Sequence, residues 1–181
     1  MQRNISNQAI FVIAACTMAR AAGAEVMDAT ANGFTIRYQV TIAAERAAVY
    51  KAAVEDIGKW WSAEHTISGN AKNLYVHTTV PGCFCETLGE HAAIQHLAVS
   101  FVNPGVIIRL SGGLGPLGLL GVNGNMTWEF EDANPGTSFV LQYAVGGYLD
   151  GGLDAIAGAV DGVLVEAVTR LKSYAETGSP D

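Results

Sequence analysis

A change of hydrophobic period along the chain narrows the fold more than any other feature. Gly33–Ile42 alternates strictly, with Phe34, Ile36, Tyr38, Val40 and Ile42 on one face and Thr35, Arg37, Gln39 and Thr41 on the other. Such a pattern predicts a strand with one buried face. Strand-like segments follow near residues 72–79, 82–88, 92–102, 106–111, 122–131 and 137–145, and Pro81-Gly82, Asn103-Pro104-Gly105 and Asn134-Pro135-Gly136 supply turn chemistry between them. Short connections make consecutive strands antiparallel neighbours, a meander rather than crossover units. Residues 44–54 take helical spacing after the first strand, and 57–61 read as a short second helix or turn.

From 151 to 174 the period becomes three and four, and Leu153, Ile156, Val160, Val163, Leu164, Ala167, Leu171 and Tyr174 fall on one stripe. Asp150 and Asp154 at its start and Arg170 and Lys172 near its end suit the helix dipole. A helix of that length is roughly 36 Å long and crosses a whole sheet. The expected fold class is therefore α+β: a curved antiparallel sheet of about seven strands wrapped round a long C-terminal helix, with two short helices after strand 1.

With 181 residues, 50% of them hydrophobic and 15% charged, the chain suits one domain with a sizeable core. Its first residues read as a targeting segment: Arg3, an apolar run over 9–18, and the small residues Ala22-Gly23-Ala24. That run is too short to anchor in a bilayer. The expected organisation is a signal peptide over 1–24, a polar lead over 25–32, one domain over 33–176 and a tail over 177–181, with a periplasmic or secreted location. Ile13-Ala14-Ala15-Cys16 offers a second scheme, a lipoprotein site that leaves Cys16 acylated. Cleavage after Ala24 removes Arg3 and Arg20 and leaves eight basic against seventeen acidic residues, a net charge of −9. Nucleic acid and anionic membrane surfaces are poor partners for such a chain.

Cys83 and Cys85 stand at i and i+2 of one predicted strand, about 6.5 Å apart at Cβ against the roughly 4 Å a disulfide needs. Two small buried thiols beside a pocket are expected in place of a bridge. His65, His77, His91 and His96 show no metal-ligand spacing, and no cofactor or metal is expected.

Five strings, Lys59-Trp60-Trp61-Ser62, His65-Thr66-Ile67-Ser68-Gly69, Pro81-Gly82-Cys83-Phe84-Cys85-Glu86, Leu114-Gly115-Pro116-Leu117 and Val160-Asp161-Gly162-Val163-Leu164, together with the order of elements, resemble the START-like SRPBCC superfamily. The likeness is to an exported subgroup related to polyketide cyclases, lipid-transfer domains and heat-shock ATPase activator homologues, and it spans about residues 34–176. It implies a helix-grip fold with a deep apolar cavity between sheet and long helix. Superfamily members range from carriers to cyclases, so the fold alone does not choose between binding and catalysis.

The cavity so implied is expected to be lined by Trp61, Phe101, Ile108, Leu110, Trp128, Tyr143, Ala157 and Leu164, with Phe139 also near it. Gly158 and Gly162 interrupt the last helix at a cost of about 1 kcal/mol each relative to alanine; close packing or room for a ligand are the two readings. The Gly- and Leu-rich stretch 112–124 has no Gly-Lys-Ser/Thr and reads either as a mobile lid or as a packed loop or dimer contact. Glu86, His96, Arg109 and Asp161 are weak catalytic candidates, with His96 on the strand face opposite Leu97, Val99 and Phe101. The leading expectation is a binding protein for a hydrophobic small molecule, lipid or aromatic and polyketide-like. A cyclase- or hydrolase-type enzyme and a protein-interaction module are the alternatives.

Overall fold

The computed structural model describes residues 25–181, so the expected signal peptide and the Cys16 lipoprotein site lie outside the described residues. The strands are β1 (Glu25–Thr30), β2 (Gly33–Ile42), β3 (Leu74–His77), β4 (Gly82–Gly89), β5 (Ala92–Asn103), β6 (Ile107–Ser111), β7 (Gly121–Asp132) and β8 (Thr137–Tyr148). Helices α1 (Arg46–Glu55) and α2 (Ile57–Trp60) follow β2, and α3 (Asp154–Thr177) closes the chain. All eight strands form one antiparallel curved sheet in the order β1-β2-β8-β7-β6-β5-β4-β3. This is the expected α+β helix-grip architecture. Among the described residues no helix is long and apolar enough to cross a membrane.

The extra strand is β1, which occupies the segment expected as a polar lead. As an edge strand it is largely exposed and lacks an apolar period of its own, and only the two-residue turn at Ala31 and Asn32 marks the hairpin with β2. The apolar faces of β2, β7 and β8 follow the alternation closely: Phe34, Ile36, Tyr38, Met126, Trp128, Phe130, Phe139, Leu141 and Tyr143 are all buried. Against them α3 packs Ala157, Leu164, Ala167, Val168 and Leu171. The helix runs three residues later than its period suggests at both ends. Gly151 and Gly152, with φ of 88° and 89°, turn the chain before it, and Gly178 at φ 83° stops it by donating its N–H to the Tyr174 carbonyl at 2.8 Å.

Two irregularities in β5 set what faces inward. Phe84 pairs with Leu97 but Cys85 pairs with Gln95, which makes His96 an extra residue; Val99 pairs with Leu110 but Phe101 with Arg109, which makes Ser100 another. A β-bulge of this kind re-aims side chains by one residue. His96 and Leu97 are consequently both buried. Beyond Ser100 the phase inverts, so Phe101 is 43% exposed on the outer face beneath the Arg109 guanidinium, 5.6 Å from its ring centroid, while Val102 packs against the core.

The first bulge also overturns the expectation of free thiols. Cys83 and Cys85 form a disulfide, with Cα atoms 5.4 Å apart, because β4 departs from full extension where it faces the extra residue of β5. Extended geometry places i and i+2 farther apart than this.

Gly158 and Gly162 answer to neither reading of their purpose. Both are exposed, and a Cβ at either would meet no neighbouring atom within 4 Å. Gly158→Ala and Gly162→Ala are therefore expected to stabilise the protein by about 1 kcal/mol each. Thermal or denaturant unfolding measures the gain, and a loss of stability at either site contradicts this account.

Candidate functional site

Tryptophan and histidine side chains from the α2 region begin the site. Trp60 Nε1 donates to the Ala52 carbonyl at 2.7 Å, and Arg170 Nε donates to the Trp60 carbonyl at 2.7 Å, so α2 is tied to both α1 and α3. The next residue, Trp61, donates from Nε1 to the His65 carbonyl at 3.1 Å and stands edge-on to Phe84, centroids 5.4 Å apart. Phe84 in turn lies 5.4 Å from the His96 ring. A chain of three rings thus runs from the α2 turn to the middle of β5.

These rings form one wall of a cavity of about 400 Å³. Its other walls are Thr66 and Ile67 from the loop after α2, Leu74 of β3, Leu114, Pro116, Leu117 and Leu120 from the β6–β7 connection, and Ile156, Ala159, Val160 and Val163 of α3. Glu64 and His65 stand among them, and the His65 Nε2 lies 2.9 Å from Glu166 Oε2 on α3. All five strings that carried the family resemblance contribute a lining residue: Trp61, His65, Phe84, Leu117 and Val160 stand one for each. Distant segments of the sequence thus converge on one apolar chamber.

The β6–β7 connection forms a wall through a hydroxyl clasp. Leu114 N–H donates to Tyr143 Oη at 3.0 Å, and the same hydroxyl donates to the Gly112 carbonyl at 2.9 Å. Burial pushes the Tyr143 phenol above its ordinary pKa, despite the opposing Leu114 hydrogen bond, so it stays a donor at neutral pH.

Beneath the chamber, Glu86 and His96 make a buried pair. Glu86 Oε2 accepts from the Ile67 N–H at 3.0 Å and from His96 Nε2 at 3.0 Å, and Oε1 accepts from the Ser68 N–H at 2.6 Å. Glu86 is 0% exposed and His96 5%. Burial by itself raises the pKa of the Glu86 carboxyl, but hydrogen bonds from Ser68, from the Ile67 backbone and from His96 outweigh it and hold the group below its ordinary value. An ionised carboxylate only accepts, so His96 Nε2 carries a proton. The other ring nitrogen, Nδ1, is buried without a partner.

Of the residues expected to line the cavity, Trp61 does so. Ile108, Leu110, Trp128, Tyr143, Ala157 and Leu164 lie in the packed core, as does Phe139, and Phe101 lies outside. Of the candidate polar groups, Glu86 and His96 are brought together. Arg109 sits on the outer face over Phe101, and Asp161 accepts a hydrogen bond from the Tyr38 hydroxyl, which also donates to the Asp161 carbonyl at 2.9 Å. The expected lining leaves out Leu74, Phe84, Ile156 and Val163, although the strings containing Phe84 and Val163 single out their segments.

No family model matches the chain, and no curated protein matches it in sequence. Among solved structures the helix-grip fold is shared with CalU16 from Micromonospora echinospora, at 13% identity over 82% of this chain and 78% of that one, TM-score 0.57. StfQ, the di-domain ARO/CYC of the steffimycin biosynthetic pathway, matches at 16% identity over 81% of this chain and 51% of its own, TM-score 0.55. DynU16, from the dynemicin biosynthetic locus, matches at 16% identity over 81% and 48%, also at TM-score 0.55. This chain therefore spans about half the length of the latter two. At such identities the likeness establishes the fold alone.

Proposed function

We propose that this protein is an exported carrier that holds a hydrophobic small molecule, a lipid or an aromatic, polyketide-like compound, in the chamber between α3 and the sheet. The observation that carries the reading is the chamber itself: about 400 Å³ walled by Trp61, Leu74, Phe84, Leu117, Ile156 and Val163, within the size range of small-molecule sites and lined as they are. The origin of StfQ and DynU16 in biosynthetic pathways supports a small organic ligand. The Cys83–Cys85 disulfide supports export, since disulfides persist in oxidising compartments.

Native mass spectrometry of protein purified from its own host tests both halves of the proposal. A chain beginning at Glu25 that carries a noncovalent adduct is the expected result. An intact Met1 in the cytosolic fraction overturns the export half. Protein that neither carries an adduct nor takes up an apolar probe overturns the carrier half.

One observation favours a second reading, a cyclase- or hydrolase-type enzyme in the same chamber: the Glu86–His96 pair leaves Nδ1 free to take a proton. Turnover of an ester or polyketide-like substrate that His96→Ala abolishes while binding persists would establish that reading in place of the carrier.

A further inference from the structure

We propose that His96 Nδ1 is the polar anchor of the chamber, and that the molecule held there is largely apolar and bears one neutral proton-donating group, a phenol, enol or alcohol. This inference rests on the carrier reading and adds the ligand's chemistry to it. His96 lines the cavity, is 5% exposed, and has an unpartnered Nδ1. Unpaired polar atoms at that depth are rare in folded proteins and call for an explanation.

The direction of the missing hydrogen bond follows from the other side of the ring. Glu86 receives two backbone N–H groups and the His96 Nε2, all within 3.0 Å, and an acceptor so arranged obliges Nε2 to be the protonated nitrogen. We assign the ring that one proton, on Nε2, which leaves Nδ1 a bare lone pair; the ring ¹⁵N spectrum reads it directly. A ligand ketone or ether would set one lone pair against another. A carboxylate would bring a second anion close to Glu86 in an apolar chamber, where burying a charge is costly. A hydroxyl satisfies Nδ1 and adds no charge. Elsewhere in the lining, the His65 Nε2 is already engaged by Glu166 at 2.9 Å, and the apolar walls of the cavity, with Phe84, Leu74, Trp61 and Ile156 among them, take the apolar body of the ligand.

Three probes of one skeleton test the assignment: 1-naphthol, 1-methylnaphthalene and 1-naphthoate, titrated against the full chain and against His96→Leu. The wild type is expected to bind 1-naphthol at least about tenfold more tightly than 1-methylnaphthalene, the more apolar of the two, and more tightly than 1-naphthoate. His96→Leu should bring the first two probes within about twofold of each other while still binding 1-methylnaphthalene. This ratio is taken within a single variant, so reduced stability does not disturb it. Should His96→Leu fail to fold, the ring ¹⁵N spectrum of the wild type decides: a bare Nδ1 resonance that moves with 1-naphthol and stays put with 1-methylnaphthalene supports the anchor, and one that ignores both overturns it. Equal binding of the two neutral probes by the wild type, tightest binding of 1-naphthoate, or an undiminished preference in His96→Leu overturns this inference alone. Failure of all three probes to bind overturns the carrier reading with it.

Discussion

Val160→Trp is expected to abolish most ligand binding while leaving the melting temperature nearly unchanged. Val160 lies on the chamber side of α3 and is only partly buried, so an indole there extends into space a ligand would occupy rather than into packed core. Displacing about 100 Å² of apolar ligand surface at about 25 cal/mol per Å² costs about 2.5 kcal/mol, a loss of roughly 70-fold in affinity. Titration of a fluorescent polycyclic probe beside a thermal melt reads both quantities. Unchanged affinity in a well-folded variant would exclude this chamber as the binding site. Ala157 and Gly162, on the same helix, are poor places for such a test, since Ala157 is buried in the core and Gly162 faces open space.

The largest effect on stability is expected at Glu86. Glu86→Ala strands the Ile67 and Ser68 N–H groups and the His96 ring in a buried setting, and breaking a buried, hydrogen-bonded pair of this kind costs about 3 to 5 kcal/mol. The pH dependence has a definite sign. The folded-state pKa of Glu86 lies below the ordinary value of 4.5, so its contribution is fully present above pH 4.5 and is lost as pH falls through the folded-state pKa. Glu86→Gln should then be less stable than wild type at neutral pH and lose less on acidification. Denaturant unfolding at pH 7 and at about pH 3 compares the two. A Glu86→Gln protein as stable as wild type at pH 7 would mean that the charge does nothing for the loop it holds.

The strands, the long helix and their order were legible in the sequence because each element's period is carried by its own side chains. β2, β7 and β8 bury the residues their alternation marks, from Phe34 to Val145. The chamber was less legible because its lining depends on two single-residue insertions in β5 that no local pattern announces. A strict alternation puts Phe101 inside and His96 outside; bulges at His96 and Ser100 reverse both. The same departure from regular pairing made the Cys83–Cys85 disulfide unreadable, because the inference from spacing assumed a fully extended strand. Ile108, Leu110 and Trp128 were placed on the correct face of the sheet. What the sequence did not disclose is where α3 rests directly on that face and where it stands clear.

The Tyr143 clasp ties the chamber's wall to a residue outside its lining. A Cβ at Gly124, on the neighbouring strand β7, would lie 2.5 Å from the Tyr143 ring, so that ring can keep its position only while residue 124 has no side chain. The ring's hydroxyl in turn holds both Gly112 and Leu114 of the chamber's outer wall. One glycine inside the sheet is thereby linked through a single phenol to the position of the chamber's outer wall. A side chain at position 124 would accordingly shift that wall while every residue lining the chamber stayed the same.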